Sequence, residues 1–472
     1  MHASETTPEA PDFAEVFAEY SSALDGARLP PQVLDAARFN VFDTLACSIA
    51  GFRAPGVQEV LELVRDWGGK PESEVLWTDL RVPAPQAAWI NGIMGHACDY
   101  DDTHDKAILH GGVSVVPAAL AAVGLAGRPV SGADFLAGVV SGLELICRIG
   151  VATRIGIIQA GFIYSGLFAC FAAAAAAARI LRLSPQQTHN ALGIAFTQAA
   201  GTHQVTRDGA ITKRMQPGFG ARAGMTAVAM ARKGIRGAQR VFEGVDGLGR
   251  IYLQSQLDSA VLREGLGERW HFLDLSYKPY PSCRMNHCAI DAALDLRERP
   301  GFDWRKVSSI RVCINSQGNQ AVGQHRAPAS VVQAQFSIRY NIACALIHGR
   351  VGLDDFVPAS FSRPDVLSLL ERITPVVDEE IERRWGRHAT PARVEAVIDG
   401  QVFSAQVEEA KGSPETPMSR ADMRRKVADS LSFSGFDPAR AAFVEETIDG
   451  FEASADIAAD LSRLISGVRE TR

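Results

Sequence analysis

Residues 155–178 read IGIIQAGFIYSGLFACFAAAAAAA, and the fold turns on how this stretch is understood. It carries no charge between Arg154 and Arg179 and is long enough to span a bilayer. But Gln159, Gly161, Tyr164, Ser165 and Gly166 interrupt it, and it ends in seven alanines, Ala172 to Ala178. Alanine is weakly hydrophobic, and an alanine face lets helices approach closely. The stretch therefore reads as a helix buried in a protein core, not as a membrane span, and predicts a helical fold with no membrane partner.

The flanks agree. From Leu29-Pro30-Pro31 an apolar pattern runs to a stop at Gly51. Residues 84–97, 115–123, 134–151 and 162–181 read as further helices, and residues 217–232 as another alanine-rich one. Ser184-Pro185-Gln186-Gln187 is a helix start, with Ser as N-cap, Pro at the first position and Gln at the third. Near residue 268 the character changes. Residues 307–314 (VSSIRVCI) alternate and are β-branched, which predicts a strand. Residues 392–408 form two alternating runs joined at Asp399-Gly400, a hairpin signal. Residues 331–347 between them read as helical. After Gly412-Ser413-Pro414 the chain turns helical again, over 418–431, 438–450 and 453–465.

The fold class expected is mainly α with an α+β second domain. Residues 1–268 form a large all-helical, bundle-like domain, 269–411 a smaller α+β lid, and 412–472 helices that return to the first domain and make it discontinuous. A chain of 472 residues is too long for one typical core.

Composition narrows the function. The net charge of −6 gives no general attraction to nucleic acid or anionic membrane. Eight cysteines are scattered with no CxxC pair, which speaks against zinc ribbons and for reduced, cytoplasmic thiols. The start, MHASETTPEAPDFAEVF, has no basic or apolar leader region and does not read as a targeting peptide.

Residues 96–117, HACDYDDTHDKAILHGGVSVVP, pack four aspartates and three histidines between apolar helices. Buried charge is costly unless paired or used, so the segment reads as a site. Its spacing fits no metal motif, and no metal is expected. Asp101, Asp102 and Thr103 are natural turn and cap residues, with Asp102 and Asp105 structural. Asp99 and His110 are the candidates for proton transfer. RDGAITKRMQPG, residues 207–218, sets Lys213 just before a Pro-Gly helix start, a possible anion site. KPYPSCRMNH, residues 278–287, brings Lys278, Cys283, Arg284 and His287 together. FSIRY, residues 336–340, adds Tyr340. GVDGLG at 244–249 follows a helical stretch and is no dinucleotide fingerprint. Two lysines, an arginine, an aspartate, a histidine and a tyrosine suit a small polycarboxylate. Cations clamp carboxylates, a base takes the proton beside one, and an acid assists a leaving hydroxyl.

These segments together resemble the MmgE/PrpD family. The motifs are NGIMGHACDYDDTH with HGGVSVVPAAL, DGAITKRMQPG, KPYPSCRMNH, FSIRYNIACALIHGRVGLDDF and GSPETPMS, in order along nearly the whole chain. The resemblance implies a helical domain built from both chain ends, an α+β lid, a pocket between them, a homodimer, and no metal or organic cofactor. Its members include dehydratases, decarboxylases and epimerases of small polycarboxylic acids. By motif Asp99, Thr103, His110, Lys213, Lys278 and Tyr340 keep the family residue; Asp99, His110, Lys213 and Tyr340 are the catalytic candidates, and Thr103, Lys278, Cys283 and His287 the substrate-binding ones. Three positions depart from the family pattern: Ile163, Gln216 and Cys283 stand where members often carry histidine. A dehydratase-type lyase is the first expectation; epimerisation, decarboxylation and non-catalytic carboxylate binding remain open.

Overall fold

The computed structural model describes residues 10–386 and 391–470; the first nine residues, part of the stretch read as lacking a leader, lie outside it. The alanine-rich Ala169–Ile180 helix sits at the centre. It packs against the Gly132–Ala152, Gln216–Arg232 and Gly112–Leu125 helices. Glycines on its neighbours explain the closeness. A Cβ on Gly220 would meet the Ala169 Cβ at 2.2 Å, and one on Gly224 the Ala173 Cβ at 2.6 Å. On another face, Gly138 and Gly142 lie against the carbonyls of Ala176 and Ala172. Small residues on three helices thus produce backbone approach that larger side chains would forbid.

The structure corrects one expectation here. The 162–181 segment is not one helix: it divides into Tyr164–Leu167 and Ala169–Ile180, preceded by the short helix Ile157–Ala160, which ends at left-handed Gly161. Among the described residues one helix, Gly132–Ala152, is long and apolar enough to cross a membrane, and it is buried.

Both chain ends feed this first core. Met423, Val427 and Leu431 of the Arg420–Phe433 helix and Ile457, Leu461 and Leu464 of Ile457–Arg469 are buried in it. The expected helices at 84–97 and 217–232 appear as Ala84–His96 and Gln216–Arg232, and the Ser184 cap forms with Gln187 at its third position.

A second core gathers the His287–Arg297 and Ile338–His348 helices onto a four-stranded sheet. Its order is Ile373–Val377, Val307–Ile314, Ala392–Ile398, Gln401–Val407; the first pair is parallel and the others antiparallel. Residues 392–398 alternate buried and half-buried, as their pattern predicts. Asp399 and Gly400 both take positive φ, the geometry of a tight hairpin turn. A short antiparallel pair, Thr103–His104 with Leu275–Ser276, ties the acidic segment to the start of the 269–411 stretch; Trp270, Phe272 and Leu275 there are buried in the first core, and the second core begins at Met285, later than the expected boundary.

Candidate active site

The Ala84–His96 helix delivers the acidic segment. Asp99 follows at φ +51°, a left-handed conformation that turns its carboxylate back. There Asp99 Oδ1 accepts from Lys213 Nζ at 2.9 Å and Lys278 Nζ at 3.2 Å, and Lys278 also donates to the Asp99 carbonyl at 2.9 Å. Burial pushes the Asp99 pKa up, but the two ammoniums outweigh it and hold the carboxyl well below the usual range. It stays ionised.

Asp101 is a correction. It was expected to serve the turn, yet it is fully buried and bridges two imidazoles. His96 Nδ1 lies 2.9 Å from both its oxygens and His110 Nδ1 lies 3.0 Å from Oδ2. His110 Nδ1 is also 2.7 Å from the Asp102 carbonyl. Both neighbours of that nitrogen are acceptors, so Nδ1 carries the hydrogen and a neutral His110 keeps its lone pair on Nε2. His96 is set the same way: Nδ1 donates to Asp101 and Nε2 accepts from Lys213 at 3.0 Å. Burial, helped by Lys213, brings the His96 pKa down to about 4, so the ring is neutral. Burial raises the Asp101 pKa, and the two imidazoles reverse that and hold it low.

Asp102 is structural, as expected. Its two oxygens accept from the Gly111 and Gly112 amides at 3.0 and 2.9 Å, capping the Gly112–Leu125 helix. Burial, with Asp101 and Asp43 nearby, raises its pKa to about 7. Asp105 pairs with Arg284 and accepts from Ser276, joining the first domain to the lid.

These groups open on a cavity of 550 Å³. Asp99, Thr103, His110, Lys213, Lys278 and Cys283 all line it, brought together from three distant segments. Burial pushes the Cys283 thiol up to about 11, so it stays protonated at neutral pH. Two predicted residues are elsewhere. Tyr340 is fully buried in the second core between Phe356 and Phe361, and its hydroxyl donates to the Asp355 carbonyl. His287 is buried behind the wall, with Nε2 3.3 Å from the Ser282 carbonyl and its pKa held well below 6.5 by burial, Arg284 and Lys278. Neither reaches the cavity. Of the three departures, Ile163 and Cys283 line it. Gln216 does not: its amide bonds both to the N–H and to the carbonyl of Thr202.

Further polar residues line the cavity without having been assigned there, among them Ser165, His203, Arg207, Arg284 and His325. Ser165 Oγ accepts the His110 amide at 2.8 Å. Arg207 lies in the quoted 207–218 motif and Arg284 in the lysine loop, so a count of cations per motif points to them. His203 had no such signal. Asp101 was visible only as one more member of the acidic run.

His96, Asp99, Asp101 and His110 also offer atoms within 4.8 Å of one another, as a metal site would. Lys213, 2.9 Å from Asp99 and 3.0 Å from His96, already supplies the cation. A second cation there would meet its repulsion, so this donor set does not fit a metal ion while Lys213 is in place.

A mainly helical protein with two cores, and a buried cluster of carboxylates, imidazoles and lysines at its cavity, is the class that this arrangement defines. Residues 15–259 match the MmgE/PrpD N-terminal domain and residues 280–448 the MmgE/PrpD C-terminal domain. The chain belongs to the MmgE/PrpD family. It is 28% identical to a cis-aconitate decarboxylase-like protein, oryM, of Aspergillus oryzae, over 99% of this chain and all of that protein. It is 27% identical to a cis-aconitate decarboxylase of Aspergillus terreus, covering 93% of each chain. The Homo sapiens cis-aconitate decarboxylase is 25% identical, over 87% of this chain and 86% of its own.

Proposed function

We propose that this chain is a lyase acting on a small, citrate-like polycarboxylic acid, with His110 as the group that moves the proton. The observation that carries this reading is the orientation of His110. Its Nδ1–H is held by Asp101 and the Asp102 carbonyl, and the ring lines the cavity, leaving Nε2 as its free basic nitrogen. Nε2 lies 4.0 Å from Asp99 Oδ1, so an imidazolium formed there faces two carboxylates.

In the dehydration reading, Nε2 takes the proton from the carbon beside a carboxylate. The electron pair moves onto that carboxylate and then forms the double bond as the carbon–oxygen bond to the next carbon breaks; the departing hydroxyl takes the proton from His110 Nε2 and leaves as water, which restores the neutral ring. Lys213 and Lys278 each commit two of three donors to the cluster, and the charge developing on the carboxylate oxygens falls beside them. No atom changes oxidation state in a way that needs an external oxidant or reductant. The names of the relatives support a second reading, decarboxylation: a carbon–carbon bond breaks, carbon dioxide leaves, and His110-H⁺ returns a proton to the carbon.

A panel of hydroxy-polycarboxylates and cis-aconitate in deuterated water separates these. New conjugated-alkene absorbance marks dehydration, and carbon dioxide release marks decarboxylation. Deuterium uptake with neither marks an epimerase, and binding alone a non-catalytic paralogue. His110→Ala is expected to lower turnover by about 10²–10⁴-fold with the fold intact; near-normal turnover would remove His110 from the mechanism. We also propose a homodimer. An exposed aromatic face, Trp67 and Phe219 against Trp89, supports it, and sedimentation should give twice 50.7 kDa.

A further inference from the structure

The second core carries a side-chain cluster that the cavity does not use. The Ile338–His348 helix sets Cys344 and His348 one turn apart on one face. It stops at left-handed Gly349, φ +71°, and the chain folds back through the Leu353–Phe356 turn. That return brings Asp355 to the helix. Its Oδ1 lies 2.7 Å from His348 Nδ1, and its Oδ2 accepts the Gly352 amide at 2.8 Å. Cys344, His348 and Asp355 then offer one ligand atom each, all within 4.8 Å of one another. None of the three lines the 550 Å³ cavity.

Two observations separate this cluster from the one around Asp99. There Lys213 supplies the cation. Here, among the described residues, no lysine or arginine pairs with any of the three. Arg350 and Arg363 act on them only through their charge, and they bond instead to Asp354 and Asp365. The second observation is an orphaned atom. His348 Nε2 is buried with no hydrogen-bond partner. The ring is therefore held on one side only, and it can turn either nitrogen to an ion without losing a second bond.

We propose that Cys344, His348 and Asp355 bind a divalent transition ion of the zinc class. A thiolate, an imidazole and a carboxylate suit such an ion, whereas magnesium and calcium prefer oxygen ligands alone. On binding, the thiol proton goes to solvent, and the neutral imidazole keeps its hydrogen on the nitrogen away from the metal. The thiolate and the carboxylate together offset the charge of the ion. Water completes the coordination on the side of His348, whose side chain is 17% exposed. The ion is structural. Leu353, at the start of the same turn, packs with Cys47, Cys98, Tyr100 and Phe433. Cys98 and Tyr100 flank Asp99, so fastening the turn to its helix braces the backbone that carries that carboxylate.

Titration of the reduced full chain with cobalt(II) reads the thiolate directly, as a thiolate-to-cobalt charge-transfer absorbance that zinc should displace. One equivalent is expected to saturate it. Cys344→Ser should abolish it, and His348→Gln should weaken binding by more than the about 10–100-fold that follows loss of an outer partner. Cys283→Ser, which alters the half-exposed thiol at the cavity, should leave it unchanged. No charge-transfer band with excess cobalt would overturn the proposal, and so would a band that survives Cys344→Ser, because the thiolate would then lie elsewhere. Zinc should also raise the unfolding temperature of the wild type and not of Cys344→Ser. Amide exchange over residues 349–356 and 98–100 should slow with zinc; unchanged exchange at 98–100 would overturn the bracing of the Asp99 backbone.

Discussion

At His96, burial and the Lys213 ammonium act together on one ring, bringing its pKa from 6.5 down to about 4. In the unfolded chain the ring protonates near 6.5. Between these values the unfolded state binds the extra proton. The contribution of His96 to stability is therefore full above pH 6.5 and lost as pH falls toward 4. At 1.36 kcal/mol per unit, this is about 3 kcal/mol. Asp99 and Asp101, held low, lose their contributions only further down in pH, so they do not mask the window. His96→Gln, whose amide can donate to Asp101 and accept from Lys213, should lack this pH dependence. Denaturant midpoints for both proteins from pH 7 to pH 4 test it; a constant offset between the two curves would sink the assignment. The double glycine after His110 makes a second residue-scale prediction. A Cβ on Gly112 would meet Thr44 Oγ1 at 2.4 Å, Asp102 Oδ1 at 2.5 Å and Asn40 Oδ1 at 2.7 Å. Gly112→Ala must displace the Asp102 carboxylate from its two amides and should destabilise by about 1–3 kcal/mol or more. At Gly111 the nearest atoms are the flexible ends of Leu143 and Ile146 at 3.2 and 3.4 Å. Gly111→Ala should melt clearly closer to wild type, and the reverse order would contradict the packing.

Among the elements, the Arg420–Phe433 helix reaches the site through one side chain. Lys426 is buried and donates to Asp43 Oδ1 at 2.7 Å, to the Tyr100 carbonyl at 2.6 Å and to the Lys278 carbonyl at 3.0 Å. It thereby braces both the acidic segment and the lysine loop from below. Lys426→Met leaves Asp43 buried without its partner, which should cost about 3–5 kcal/mol. Adding Asp43→Leu removes the orphaned charge and should restore most of that stability. Turnover should stay low in the double variant, because the two carbonyls remain unheld; recovery of both would limit Lys426 to stability. No feature of the sequence joins Lys426 to Asp43. Helix periodicity, the Ser184 cap and the Asp399-Gly400 turn are local, and they were legible for that reason. The Ile373–Val377 strand was not, since it is five residues long and carries Pro375, tolerated there because it lies at the sheet edge. The break at Phe168 is invisible because no strong helix breaker marks it. At the site, residue types were legible but pairings were not. Spacing could not show that Asp101 bridges two histidines, or that the Tyr340 hydroxyl is taken by the Asp355 carbonyl.

For the whole molecule, the first core is completed only by the end of the chain. Val427, Leu431, Ile448, Phe451, Leu461 and Leu464 are all buried in it beside residues from the first half. Each such side chain contributes about 1.5–3 kcal/mol on burial, so this half-dozen alone amounts to roughly 9–18 kcal/mol. That matches or exceeds the net stability of a typical folded protein, about 5–15 kcal/mol. The closing helices also carry Lys426 to the underside of the cavity and cover the Pro31–Gly51 helix, against which Arg420–Phe433 packs. A chain ending at residue 419 should therefore lose the first domain, and not simply an appendage. Its thermal unfolding should show no cooperative transition from the helical core, while the lid core, formed within residues 285–410, has none of its buried members removed. Calorimetry of the shortened chain decides between the two architectures. A helical transition at the full-length temperature would mean that residues 13–275 fold alone. Its disappearance would mean that a single core is shared between the two ends of the chain, so that the site between the domains assembles only after the last helices have been made.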